Sequence, residues 1–195
     1  MARSVPCRVF QTLWRVGDHT AAGEIDRGHG GAGEGQQQVG LARPRQSQNI
    51  AGAMIEHRLH RAEPCAAGIE DRFRIDSAGT DSYHVGEGPD RRAVKIAARH
   101  GVSLDGQRAR ALRPEDFNTF DYLFAMDGGH LFDMQSRAPA GHHGKVELFL
   151  AAAGHSAQDV PDPWYGNESD FENVYELVHG ASVALLAKLR EAHGI

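Results

Sequence analysis

The chain has 195 residues, enough for one domain with a substantial core. Hydrophobic residues make up 41% and charged residues 24%, as in soluble globular proteins, and a net charge of -5 argues against nucleic acid or an anionic membrane as partner. Only two cysteines occur, Cys7 and Cys65, which excludes a disulfide scaffold and suits a reducing cytoplasm.

No segment approaches the roughly 20 apolar residues that span a bilayer, and the N-terminus has no apolar core of the secretory type. Residues 1–45 stay unassigned. Gly, Arg, Gln and Ala dominate Ala22 to Arg45, and the glycine-rich run from Gly28 to Gly35 cannot form a packed element. The segment reads either as a disordered tail or as a misread frame. The chain uses only Lys95, Lys145 and Lys188 among lysines, against many arginines. That bias suits a GC-rich gene, whose wrong frames give strings of Gly, Arg, Ala and Pro.

From residue 46 to 195 the chain reads as one domain of alternating helix and strand. Ile55, Leu59 and Ala62 give Met54 to Ala62 a helical spacing, and Pro64 ends it. Phe73-Arg74-Ile75 predicts a short strand leading into Ser77-Ala78-Gly79-Thr80. Pro89 opens a helix with Ala93, Ile96, Ala97 and His100 on one face, and Gly101 closes it. Pro114-Glu115-Asp116-Phe117 opens a short helix. Tyr122 to Met126 predicts a strand covered on both faces, Leu131 to Gln135 a helix, and Val146 to Leu150 another buried strand. The last helix is expected from about Ser169 to His193. Phe171, Val174, Leu177, Val178, Ala181, Leu185 and Leu189 form its apolar stripe, and Ser169 with Glu172 suggests a capping box. This alternation implies an α/β fold: three layers, an open parallel sheet with helices on both faces.

Val160-Pro161-Asp162-Pro163-Trp164-Tyr165-Gly166 is the most informative segment. It offers a proton-donating carboxyl beside two aromatics, although an aspartate before proline is also a common turn residue. Together with Ile75 to Thr80, Tyr83-His84-Val85-Gly86, Pro89 to Ala93, His100-Gly101-Val102, Gln107 to Arg110 and Phe120 to Asp127, it resembles the low molecular weight protein tyrosine phosphatases over residues 73–190.

The resemblance implies a four-stranded parallel sheet and hydrolysis of phosphotyrosine or aryl phosphates through a phosphocysteine. It implies Asp162 as general acid, Tyr83, Trp164 and Tyr165 as walls of the substrate pocket, and Asn49, Ser77 and His100 as supports of the phosphate loop. His100 also reads simply as a residue of a helix's last turn, where a cation is favoured. The implied partner is a phosphotyrosine protein or a small aryl phosphate. No cofactor is expected. The histidines form no H-E-x-x-H pattern, so no metal site is expected either.

In that family a C-x5-R-S loop follows the first strand and supplies the nucleophile and the phosphate clamp. No C-x5-R exists here. Cys7 has Leu13 at the required spacing and Cys65 has Asp71. Where the loop is expected, Gln46 stands for the cysteine, Gly52 for the arginine and Ala53 for the serine. The first strand is expected just upstream, where Val39-Gly40-Leu41-Ala42-Arg43-Pro44 is a poor strand. Two expectations follow: a chain without a nucleophile, and an incomplete sheet prone to aggregation. Alternatives are a non-catalytic pseudo-phosphatase that binds phosphate, and an arsenate reductase of the same fold, which needs a redox pair of cysteines.

Overall fold

A computed structural model describes the backbone of residues 7–12 and, with side chains, residues 73–156 and 159–194. Four parallel strands form the sheet: β1 (Cys7–Thr12), β2 (Phe73–Ala78), β3 (Tyr122–Ala125) and β4 (Lys145–Leu148), in the spatial order β2-β1-β3-β4. The sheet is complete, which corrects the expected gap. Cys7–Thr12, inside the segment left unassigned, takes the central position. Its residues pair with β2 (Val9 with Ile75, Gln11 with Ser77) and with β3 (Phe10 with Leu123, Gln11 with Phe124). The exposed central edge behind the aggregation argument is therefore covered. The alternative strand Val39 to Pro44 lies outside the described residues, as does the helix expected at Met54 to Ala62.

A parallel sheet must be covered on both faces, and β3 shows how. Neighbouring residues of a strand point to opposite sides. Phe124 and Met126 enter one core with Ile96, Phe149, Phe171 and Val178, while Leu123 and Ala125 enter the other with Phe117, Phe120 and Met134. Helices α1 (Arg91–Arg99), α4 (Phe149–Ala153) and α5 (Glu168–His193) cover the first face. Helices α2 (Asp116–Thr119) and α3 (Gly128–Arg137) serve the second.

Local chemistry sets the boundaries. Asp90 caps α1 by accepting from the Arg92 N–H at 2.7 Å, and Gly101 ends the helix at a φ of 76°. The strand expected to reach Leu150 stops at Leu148 instead. Phe149-Leu150-Ala151-Ala152-Ala153 forms α4, buries Phe149, Leu150 and Ala153, and ends at Gly154. Alanine favours helix over strand, and a short apolar run does not reveal which. The cap of α5 also lies earlier than expected. The box uses Asn167 and Asp170 rather than Ser169 and Glu172: the Ser169 N–H donates to Asn167 Oδ1 at 2.8 Å and the Asn167 N–H to Asp170 Oδ2 at 2.7 Å. No helix among the described residues is long and apolar enough to cross a membrane.

Candidate active site

Open α/β sheets bind ligands beyond the carboxyl ends of their strands, where neighbouring strands lead in opposite directions. Here that point lies above β1 and β3. The loop carrying Asp162 is tied to it: the Val160 N–H donates to the Met126 carbonyl at 2.8 Å, just past the end of β3, and the Gly128 N–H donates to Asp159 Oδ1 at 2.9 Å. Asp162 is exposed. Its Oδ1 accepts from the Trp164 N–H at 2.8 Å, an Asx turn that fixes the loop's bend. Pro163 is buried, Trp164 half-buried, and Tyr165 is 82% exposed. A cavity of 330 Å³ separates Asp162 and Pro163 from Asn173 and Leu177 of α5.

Arg92, whose role the sequence did not disclose, holds this loop from α1. Its Nη1 donates to the Trp164 carbonyl at 3.0 Å and to the Gly166 carbonyl at 3.3 Å. Its guanidinium lies 4.4 Å from the centre of the Phe171 ring and 5.2 Å from that of Trp164. Asp90 grips the same guanidinium, with Nη2 to Oδ2 at 3.0 Å. The glycine that ends the motif has a steric reason. A Cβ on Gly166 would lie 2.8 Å from Asp170 Cγ and collide with Asp170 Oδ2, the carboxylate that caps α5.

Two further polar clusters support the carboxyl end of the sheet. Asp127 caps α3 by accepting from the His130 N–H at 2.7 Å. His130 is fully buried, with Nδ1 at 2.8 Å from Asp127 Oδ2. Burial pushes the Asp127 carboxyl up. The His130 ring and the backbone N–H groups of His130 and Gly129 outweigh it, and Asp127 titrates below its ordinary range. On the other side, Arg110 joins Asp76 of β2 (2.9 Å) to Asp116 of α2 (2.8 Å). Burial opposes the charge of Arg110, but its bonds to Asp116 and Asp76 prevail and hold it more firmly protonated.

Several residues expected at the site lie at this edge. Tyr83 follows β2 in a turn and is 75% exposed. Ser77 sits near the carboxyl end of β2, opposite Gln11. Trp164 and Tyr165 follow Asp162 in the loop past β3. The structure does not bring His100 to them. It caps the far end of α1, eight residues from Arg92 or ~12 Å of helix rise, and its ring pairs with Glu172 and stacks on Tyr175. Asn49, Gln46, Gly52, Ala53 and Cys65 lie outside the described residues. Cys7 opens β1, so five residues, or ~16 Å of strand, separate it from the carboxyl edge at Thr12.

Residues 47–194 match the family described as low molecular weight phosphotyrosine protein phosphatase. The chain is 37% identical over 147 residues to a low molecular weight protein-tyrosine-phosphatase of Streptomyces coelicolor, which takes in 73% of this chain and 89% of that protein. It is 35% identical over 142 residues to a low molecular weight phosphotyrosine protein phosphatase of Gallus gallus, with 72% and 89% covered. Among solved structures, a protein tyrosine phosphatase from Entamoeba histolytica shares the fold with a TM-score of 0.69 at 23% identity, over 96% of this chain and 98% of that one.

Proposed function

The chain belongs to the low molecular weight phosphotyrosine protein phosphatase family, and we propose that it keeps the leaving-group half of the site while lacking the half that attacks and clamps phosphate. The supporting geometry is the Asp162 loop, held by Arg92 and flanked by Trp164 and Tyr165 past the end of β3. An aryl phosphate lying above β1 would set its ring among Tyr83, Trp164 and Tyr165. Asp162 would then give its proton to the departing phenolate oxygen.

The observation that carries the proposal is the absence of C-x5-R from all 195 residues, with Cys7 at the wrong end of its strand. Without a thiolate no phosphocysteine forms, and without the arginine fork the equatorial oxygens lose their bidentate partner. The chain is thus a phosphoric monoester hydrolase by descent that binds aryl phosphate and turns it over at or near background. An arsenate reductase finds no support, since neither cysteine stands in a C-x5-R pattern.

The test is a stopped-flow burst assay of the full chain with p-nitrophenyl phosphate, alongside Cys7→Ser and Cys65→Ser. Loss of a nucleophile typically costs on the order of 10^5 to 10^6 in turnover. The expected result is no burst, and a residual rate equal in all three proteins. A burst that either substitution abolishes would overturn the proposal.

A further inference from the structure

The end of α1 and the first turns of α5 bring together donors that the phosphatase reading does not use. His100 stands at the end of α1. Glu172 and Glu176 stand one turn apart on α5, hence on one face. The His100 nitrogen and one oxygen of each glutamate all lie within 4.8 Å of one another. We propose that these three residues form a site for a divalent transition metal of the zinc class, which clips the end of α1 to α5.

Three observations carry it. The first is the donor set. One imidazole and two carboxylates suit Zn²⁺ and its neighbours, whereas Ca²⁺ and Mg²⁺ call for oxygen alone. Three protein ligands leave a fourth position for water, and metal–ligand bonds of ~2.0–2.2 Å need only side-chain adjustments here.

The second is the fixed ring. His100 stacks on buried Tyr175 with centroids 3.9 Å apart and planes 15° apart, and its backbone N–H caps α1 on Ala97. Nε2 is thereby aimed at Glu172 Oε1, which it contacts closely. A bound metal would take the place of the proton between them.

The third is charge. Glu168, one turn earlier, has both Lys95 and Arg99. Among the described residues, Glu172 pairs only with the His100 ring and Glu176 makes no ion pair. Two carboxylates four residues apart on a helix repel each other, and a dication would relieve that repulsion. The site lies at the opposite end of α1 from Arg92, so its role is to brace the helix that carries Arg92 rather than to take part in chemistry.

The test strips the full chain with a chelator and titrates Zn²⁺ by calorimetry, with Mg²⁺ and Ca²⁺ as controls. The expected result is one Zn²⁺ per chain and, at a hundredfold excess over Kd, a melting temperature raised by about 5–10 °C. His100→Gln and Glu176→Gln should each weaken binding by about a hundredfold or more, while His155→Gln should leave it unchanged. Glu176 is exposed, so its variant keeps the fold even if His100→Gln does not. X-ray absorption of the zinc form should show one nitrogen among oxygen donors. Zinc binding of unchanged affinity in Glu176→Gln, or no binding in the parent, would overturn the proposal.

Discussion

Replacing Arg92 by alanine isolates the residue that joins the sheet-covering helix to the Asp162 loop. The side chain is 37% exposed, so part of each interaction is returned by water. Its bond to the Trp164 carbonyl, 3.0 Å long, contributes about 1 kcal/mol net, and the 3.3 Å bond to Gly166 contributes less. Its cation–π contacts with Phe171 and Trp164 add about 0.5–1 kcal/mol each. The Asp90 pair adds little beyond this, because Asp90 keeps its bond from the backbone N–H of residue 92. The expected loss is therefore about 2–3 kcal/mol, or about 4–12 °C in melting temperature for a chain of this size. Arg92→Lys should fall between, since an ammonium keeps the charge but not the fork. Urea unfolding gives the energy. The loop is read by fluorescence quenching in a Trp14→Phe background, where Trp164 is the remaining tryptophan. Trp164 should become more accessible to quencher. A loss below about 0.5 kcal/mol with unchanged quenching would refute the account of how the loop is held.

Asp127→Asn keeps a good helix cap but removes the charge facing His130. The folded carboxyl titrates below its ordinary value of 3.8, so its contribution is present above that pH and is lost as pH falls through the lower folded value. The variant should be less stable than the parent at pH 7 and converge with it below about pH 3.8; urea titrations at several pH values that show a constant gap would contradict this. Gly144→Ala should cost about 2–3 kcal/mol in urea unfolding, because its Cβ would lie 2.6 Å from the Phe120 carbonyl oxygen and 2.9 Å from that of Phe117, besides striking Leu123 Cδ1. A neutral result there would mean that the backbone at the start of β4 gives way freely.

Much of the fold is legible because its elements announce themselves locally. Tyr122 to Ala125 is an apolar run of strand length, and Pro89 and Gly101 bracket α1 with a start and a stop signal. Central strand β1 does not, for Cys7-Arg8-Val9-Phe10-Gln11-Thr12 carries Arg8 and Gln11 and has no run of β-branched residues. Only its partners on either side identify it, and they are 66 residues and more away in register. The site follows the same rule. Asp162, Trp164 and Tyr165 are legible as a contiguous motif. The grip of Arg92 on that motif spans 72 residues, and no local spacing encodes it. The proposed grouping of His100, Glu172 and Glu176 is not legible in the sequence, because its donors come from two elements. No spacing along one helix encodes the group, and only the packing of α1 on α5 joins these three.

The position of β1 also sharpens the reading of the missing loop. The family pattern places the nucleophile directly after the first strand and the arginine six residues on. Counting forward from the observed strand puts Leu13 and His19 at those places. Counting back from the family match, which begins at residue 47, puts Gln46 and Gly52 there. The two anchors, positions 13 and 46, stand 33 residues apart in the chain, so they are independent frames for the same loop. Neither supplies a thiol or a guanidinium. On the proposed reading, one substitution does not restore turnover on either count: a cysteine alone would attack without a clamp, and an arginine alone would hold phosphate with nothing to attack it. What the described residues do supply is a carboxyl, Asp162, on a braced turn beside Trp164 and the exposed Tyr165. On the proposed reading, that half-site recognises a phosphorylated ring without breaking its bond.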